Sequence, residues 1–93
     1  MKKYELMMIF PLEESTSKEA VDAAKKVLAE NGVEIEKEEP FGDRDLSYEV
    51  KKHKRARFVL FVLKANPAKI VEIDSRFKLI TNIIKFMFVR IDE

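Results

Sequence analysis

Apolar residues recur at every second position near the start of the chain. Tyr4, Leu6, Met8 and Phe10 share one side, and Glu5, Met7 and Ile9 the other. That period predicts a strand, because successive side chains alternate across a pleated backbone. Pro11 ends it, having no N–H to give to a ladder. Glu13 to Ser17 reads as a polar turn, after which the period lengthens. Ala20, Val21, Ala24, Val27 and Leu28 follow helical spacing, while Lys18, Asp22, Lys25, Lys26 and Glu30 fall mostly outside that stripe. Thr16 followed by Glu19 has the form of a capping box, and Gly32 supplies a left-handed stop. A first helix is therefore expected over about residues 17–31.

Alternation returns at Val33, Ile35 and Lys37, with Glu34, Glu36 and Glu38 between them. Pro40 and Gly42 interrupt it, and Leu46, Tyr48 and Val50 resume it. One long strand, bent and bulged near Pro40, accounts for this pattern. Lys51 to Arg57 reads as a turn. Arg57 to Ala65 reads as a third strand, with Phe58, Leu60 and Val62 on one face and Val59, Phe61 and Leu63 on the other. Asn66 and Pro67 form a helix start, cap then first helical residue. Ile70, Ile73 and Phe77, with Val71 beside them, carry that helix to about Lys78. Thr81 and Asn82 turn the chain into a last strand, Ile83 to Ile91. The order β-α-β-β-α-β over residues 1–93 predicts a single α+β domain of ferredoxin-like form, a four-stranded antiparallel sheet with two helices on one face.

Charges tell the two sheet faces apart. Lys64 falls on the face of Phe58, Leu60 and Val62, Glu5 on that of Met7 and Ile9, and Lys85 on that of Met87, Val89 and Ile91. Leu6, Met8, Phe10, Val59, Phe61, Leu63, Phe86 and Phe88 are then expected in the core. The uncovered face is left with Met7, Ile9, Phe58, Leu60, Val62, Met87 and Val89, where an antiparallel sheet facing water should be polar. Contiguous apolar surface of this kind marks a binding site. These seven residues are the expected partner-binding set. The alternatives are a homodimer through the same face, which would suit a regulatory or oligomerisation domain, and a reversed face in one strand.

Composition narrows the chemistry. Charged residues make up 38% of the chain, yet the formal net charge is +1, so any contact with nucleic acid depends on local clusters. Lys51, Lys52, His53, Lys54, Arg55 and Arg57 form one such cluster, suited to a phosphate backbone and equally to a solvated loop. Lys2, Lys3 and Lys85 are expected nearby, on the premise that strands one and four each neighbour strand three or two. The acidic run Glu34 to Glu39 is expected to lie on a watered face of an edge strand. There is no Cys and one His, so neither a disulfide nor a transition-metal site is expected. With Gly32 and Gly42 as the only glycines, no phosphate-cradling loop is possible. Acylphosphatase shares this topology, but its glycine-rich loop would fall at PLEES, which has no glycine. RNA-recognition modules share it too, but RFVLFVLK lacks their strand-three signature. His53 has no orienting acid in view, and no catalytic residue, cofactor or small-molecule substrate is expected. No membrane segment is expected, because the apolar runs are short, and MKKYELMMIFPLEE does not read as a signal peptide.

The chain resembles the bacterial family of small-subunit ribosomal protein six. The likeness rests on Lys3-Tyr4-Glu5, Pro11, the Gly42–Arg44–Leu46–Tyr48 spacing within FGDRDLSYEVKK, and the closing NIIKFMFVR. Phe41, Asp43, Ser47 and Lys85 depart from the family's usual residues. The resemblance implies a ferredoxin-like fold and a structural, non-enzymatic role in the cytoplasmic ribosome. It further implies binding of small-subunit ribosomal RNA together with small-subunit ribosomal protein eighteen. Lys3 and Lys85 correspond to RNA-facing positions, and Phe58, Leu60 and Met87 to positions near the partner. The full RNA-binding set expected is Lys2, Lys3, Lys51, Lys52, Lys54, Arg55 and Lys85, with Lys54 and Arg55 placed there by charge.

Overall fold

A computed structural model describes residues 1–50 and 52–91. It contains β1 (Lys2–Phe10), α1 (Glu14–Glu30), β2 (Glu34–Val50), β3 (His53–Ala65), a 3-10 turn (Pro67–Lys69), α2 (Ile70–Lys78) and β4 (Lys85–Arg90). The strands form one antiparallel sheet in the order β2-β3-β1-β4, so β1 and β3 are central and β2 and β4 are edges. The ferredoxin-like α+β arrangement expected from the element order is what forms.

Both helices lie on one side of the sheet. Ala20, Ala24, Val27 and Leu28 of α1 and Ile73 and Phe77 of α2 join Tyr4, Leu6, Met8, Phe10, Val59, Phe61 and Leu63 in one core. The α1 stripe is small where it starts (Ser17, Ala20, Ala24), which leaves room for the large side chains of β1 and β3 beneath it. Phe86 and Phe88 are half-buried and pack against that core, their rings grouped about Phe77 at 5.2 and 6.2 Å between centroids. The expected core assignment holds in all eight positions.

Several boundaries differ from expectation. The first helix begins at Glu14, with the Ser17 amide donating to the Glu13 carbonyl at 2.8 Å. Thr16 thus lies inside the first turn and no side chain caps the helix; Glu14 there sits favourably against the helix dipole. The other end obeys the glycine rule. Gly32 adopts φ +70, its amide donates to the Ala29 carbonyl and that of Val33 to the Leu28 carbonyl, a Schellman closure. At the second helix Asn66 Oδ1 accepts from the Ala68 amide at 3.0 Å, as a cap before Pro67 should. Val71, expected near the apolar stripe, is exposed.

The strand β2 is continuous through Pro40, and its register slips three times against β3. The slip between Ile35 and Lys37 flips the alternation. Glu34, Lys37 and Glu39 end up on the side away from the helices, and Ile35, Glu38 and Pro40 on the helix side. The acidic run is therefore divided between two faces. Glu38 reaches Lys25 of α1 at 2.6 Å, and Lys37 reaches Glu39 at 2.8 Å. The slip between Pro40 and Gly42 is the bulge expected there, and Gly42 meets it with φ +84. Val50 pairs with His53, so most of the segment read as a basic turn is strand. Lys52 alone of the described non-glycine residues takes a positive φ, +67. Lys51, one of the expected RNA-binding residues, lies outside the described residues.

Candidate protein and nucleic-acid interface

The sheet register lays out the helix-free face in rows. Across the middle run Glu39, Leu60, Met7 and Met87; beside it run Lys37, Val62, Glu5 and Val89; on the other side run Gly42, Phe58, Ile9 and Lys85. All seven residues expected at a partner surface fall in these rows. Neither helix covers them.

They are not equally open. Met87 is 58% and Val89 48% exposed, Met7, Ile9, Phe58 and Val62 are half-buried, and Leu60 is only 8% exposed. Leu60 is sheltered by its position at the centre, between Met7 and Glu39 across strands and Phe58 and Val62 along its own. The patch thus opens toward β4. Toward β2 it is fenced by polar residues, with the Lys37–Glu39 ion pair on the boundary. The far part of β2 comes over the other corner. Leu46, Tyr48 and Val50 enclose a small cavity of about 180 Å³ with Ile9 and Phe58. Tyr48 is nonetheless 68% exposed. Arg44 lies over the Phe41 ring at 5.6 Å from its centroid, and its Nε donates to the Phe41 carbonyl.

The expected RNA-binding residues do not come together. Lys2 and Lys3 open β1, while Lys52, Lys54 and Arg55 lie where β3 begins, beside the far end of β1. At ~3.3 Å per residue, β1 separates these ends by about 27 Å. Lys85 pairs with Ile9 and so lies at the hairpin end, although its strand neighbours β1 and not β3 or β2 as the expectation supposed; Lys2 and Lys3, expected near the same cluster, lie at the other end. At that end Arg55 is held by Asp45 at 2.8 Å and Arg57 by Asp43 at 3.1 Å. Lys52, Lys54 and Arg55 share a cleft with Glu13. The sequence reading left out Lys64 and Arg90, which the fold brings beside Lys2 and Lys3. Lys64 carried a signal, its place among apolar residues on the open face, but its cross-strand neighbours depend on register.

No group of three or more His, Asp or Glu side chains gathers as a metal cluster among the described residues. The connector where an acyl-phosphate loop would lie is Pro11 to Glu13, running straight into α1. No described helix is long and apolar enough to cross a membrane.

Fold and site together define a ferredoxin-like α+β domain whose sheet keeps one apolar face outside its own core. The comparisons place that domain. Residues 3–90 match the family described as Ribosomal protein S6. The chain is 53% identical over 93 residues to the small ribosomal subunit protein bS6 of Treponema denticola, covering all of both. It is 37% identical over 95 residues to that of Halalkalibacterium halodurans, again covering all of both. The chain belongs to the ribosomal protein S6 family. Among solved structures, 30S ribosomal protein S6 from Thermotoga maritima superposes with a TM-score of 0.86 at 24% identity, over 97% of this chain and 87% of that one. The C-terminal domain of the MgtC protein from Mycobacterium tuberculosis superposes with a TM-score of 0.62 at 9% identity, over 97% of this chain and 87% of that one. Both superpositions speak for the fold, and the second illustrates that a fold of this kind does not dictate a function.

Proposed function

We propose that this protein is a structural component of the small ribosomal subunit in the cytoplasm. It holds small-subunit ribosomal RNA jointly with small-subunit ribosomal protein eighteen, which lies on the open sheet face. The observation that carries this reading is the apolar patch on the helix-free face that opens toward Met87 and Val89. Each such side chain yields up to ~1.5–3 kcal/mol when fully buried, so a partner covering several of them draws substantial affinity from a small area. A net charge of +1 fits a pair in which the partner brings much of the positive charge. The names of the relatives, all small-subunit ribosomal proteins, support the setting.

The test is a binding titration with a fragment of the central domain of small-subunit ribosomal RNA. This chain alone should bind weakly, and adding protein eighteen should raise affinity steeply. Met87→Asp should abolish that gain while the variant stays folded. Full, specific binding by this chain alone would contradict the paired mechanism. The same face also suits a homodimer, and sedimentation at micromolar concentration separates the two, since a stable self-dimer would occupy the surface assigned to the partner.

A further inference from the structure

The pairing of β2 with β3 breaks between Asp45, opposite Arg55, and Val50, opposite His53. Leu46 to Glu49 of β2 therefore stand against the single residue Lys54 of β3. The surplus backbone arches over the open face, as a wide bulge does. Ala56, on the same face as Phe58 and Leu60, is wholly buried although no helix lies there. Beneath the arch is the cavity of about 180 Å³, with Ile9 and Phe58 on the sheet side and Leu46 and Tyr48 on the arch side. Tyr48 lines it and is yet 68% exposed, and no described residue bonds to its hydroxyl or packs a ring against it. The polar residues at the cavity are Asp45, Ser47 and Lys85. Arg55 already holds Asp45 at 2.8 Å, and no described group pairs with Lys85, so the charge left over is positive. The space is below the ~300–1,000 Å³ of ordinary small-molecule pockets and suits one ring system. Aromatic walls, a polar rim and a spare cation match a nucleobase with its phosphate, since every base has a face to stack and a polar edge. An apolar side chain of a protein partner would use the walls and leave Ser47 and Lys85 idle.

We propose that the cavity under the β2 arch is a slot for one unpaired nucleotide of RNA, its base stacked on Tyr48 and its phosphate beside Lys85. This rests on the RNA-binding role proposed above. Strand three lacks the aromatic signature that would stack bases on the middle of the sheet, and the arch supplies a ring at the corner instead. The base then lies at the margin of the apolar patch and leaves Met87 and Val89 to the partner.

The experiment measures binding of the central-domain RNA fragment by the pair with protein eighteen, for the wild-type chain, Tyr48→Ala and Tyr48→Phe. Tyr48→Ala should weaken RNA binding roughly 5- to 100-fold, the loss expected for one stacked base, and leave the dependence of log K on log salt unchanged because no charge is removed. Tyr48→Phe keeps the ring and should bind as wild type does. Both variants should melt at the wild-type temperature, and without RNA both should bind protein eighteen with wild-type affinity. Undiminished RNA binding by Tyr48→Ala, or an equal loss in Tyr48→Phe, overturns the stacked base. Weaker binding of protein eighteen by Tyr48→Ala in the absence of RNA gives the slot to a protein side chain and overturns it too. Failure of the wild-type pair to bind RNA at all overturns the RNA-binding role itself, and that result is distinct because it appears before any substitution.

Discussion

The two faces of this sheet are built from nearly the same kinds of residue and end in different surroundings. Leu60 and Phe61 are chain neighbours on β3, as are Met87 and Phe88 on β4. Phe61 and Phe88 turn toward α1 and α2, where Phe61 is wholly buried. Leu60 and Met87 turn the other way, where no helix waits. What separates the faces is the covering layer and not the hydrophobicity of the strands. A right-handed crossover puts both helices on one side, so the open-face apolar residues of β1, β3 and β4 have no helix over them. Exposure then falls from the β4 edge inward, because shelter there comes from lateral neighbours and, at the corner of Ile9 and Phe58, from the far part of β2.

Substitutions on neighbouring residues test that contrast. Phe61→Ala should cost about 3–5 kcal/mol, the range for deleting a fully buried aromatic side chain, and in so small a domain that approaches the whole stability. Urea denaturation measures it. Leu60→Ala should cost less, ~2 kcal/mol, because its shelter comes from neighbours at the sides and not from a packed layer above. If Leu60→Ala matches Phe61→Ala, the open face is a second core, and the distinction drawn here fails. At 8% exposure Leu60 is too enclosed for a carboxylate, and Met87 is the better probe of the open face. Met87→Asp should shift stability by no more than about 0.5 kcal/mol, as exposed substitutions do. A larger loss would mean that the β4 edge depends on contacts the isolated domain hides.

Where expectation and structure parted, the cause was a competition decided by distant residues. Thr16 and Glu19 have the pattern of a capping box, but Ser17 is needed in the buried stripe with Ala20 and Ala24, and that draws the helix start back to Glu14. Lys51 to Arg57 read as a turn. Pairing with β2 makes a ladder of its His53 to Arg57 part, because the backbone gains hydrogen bonds whatever its side chains carry. The run from Glu34 to Glu39 looked like one strand face, and a bulge at Glu36 sent its members to both. A bulge adds one residue to one strand, and nothing in the local alternation shows where the partner strand will fail to follow.

The periods of hydrophobicity in this chain were enough to set the element order, and with it the handedness, the topology and the assignment of core and open faces, because burying apolar surface admits few arrangements of strands with period two and helices with period 3.6. Family membership was legible for the same reason: it is written in residues that repeat in order along the chain. Only the folded molecule decided which charges meet. Lys3 faces Lys64, and Lys2 lies a sheet's length from Lys54, because cross-strand register pairs residues that are 61 positions apart in sequence. That pairing is set by the sum of backbone hydrogen bonds and side-chain packing along whole strands, which no local window of sequence contains.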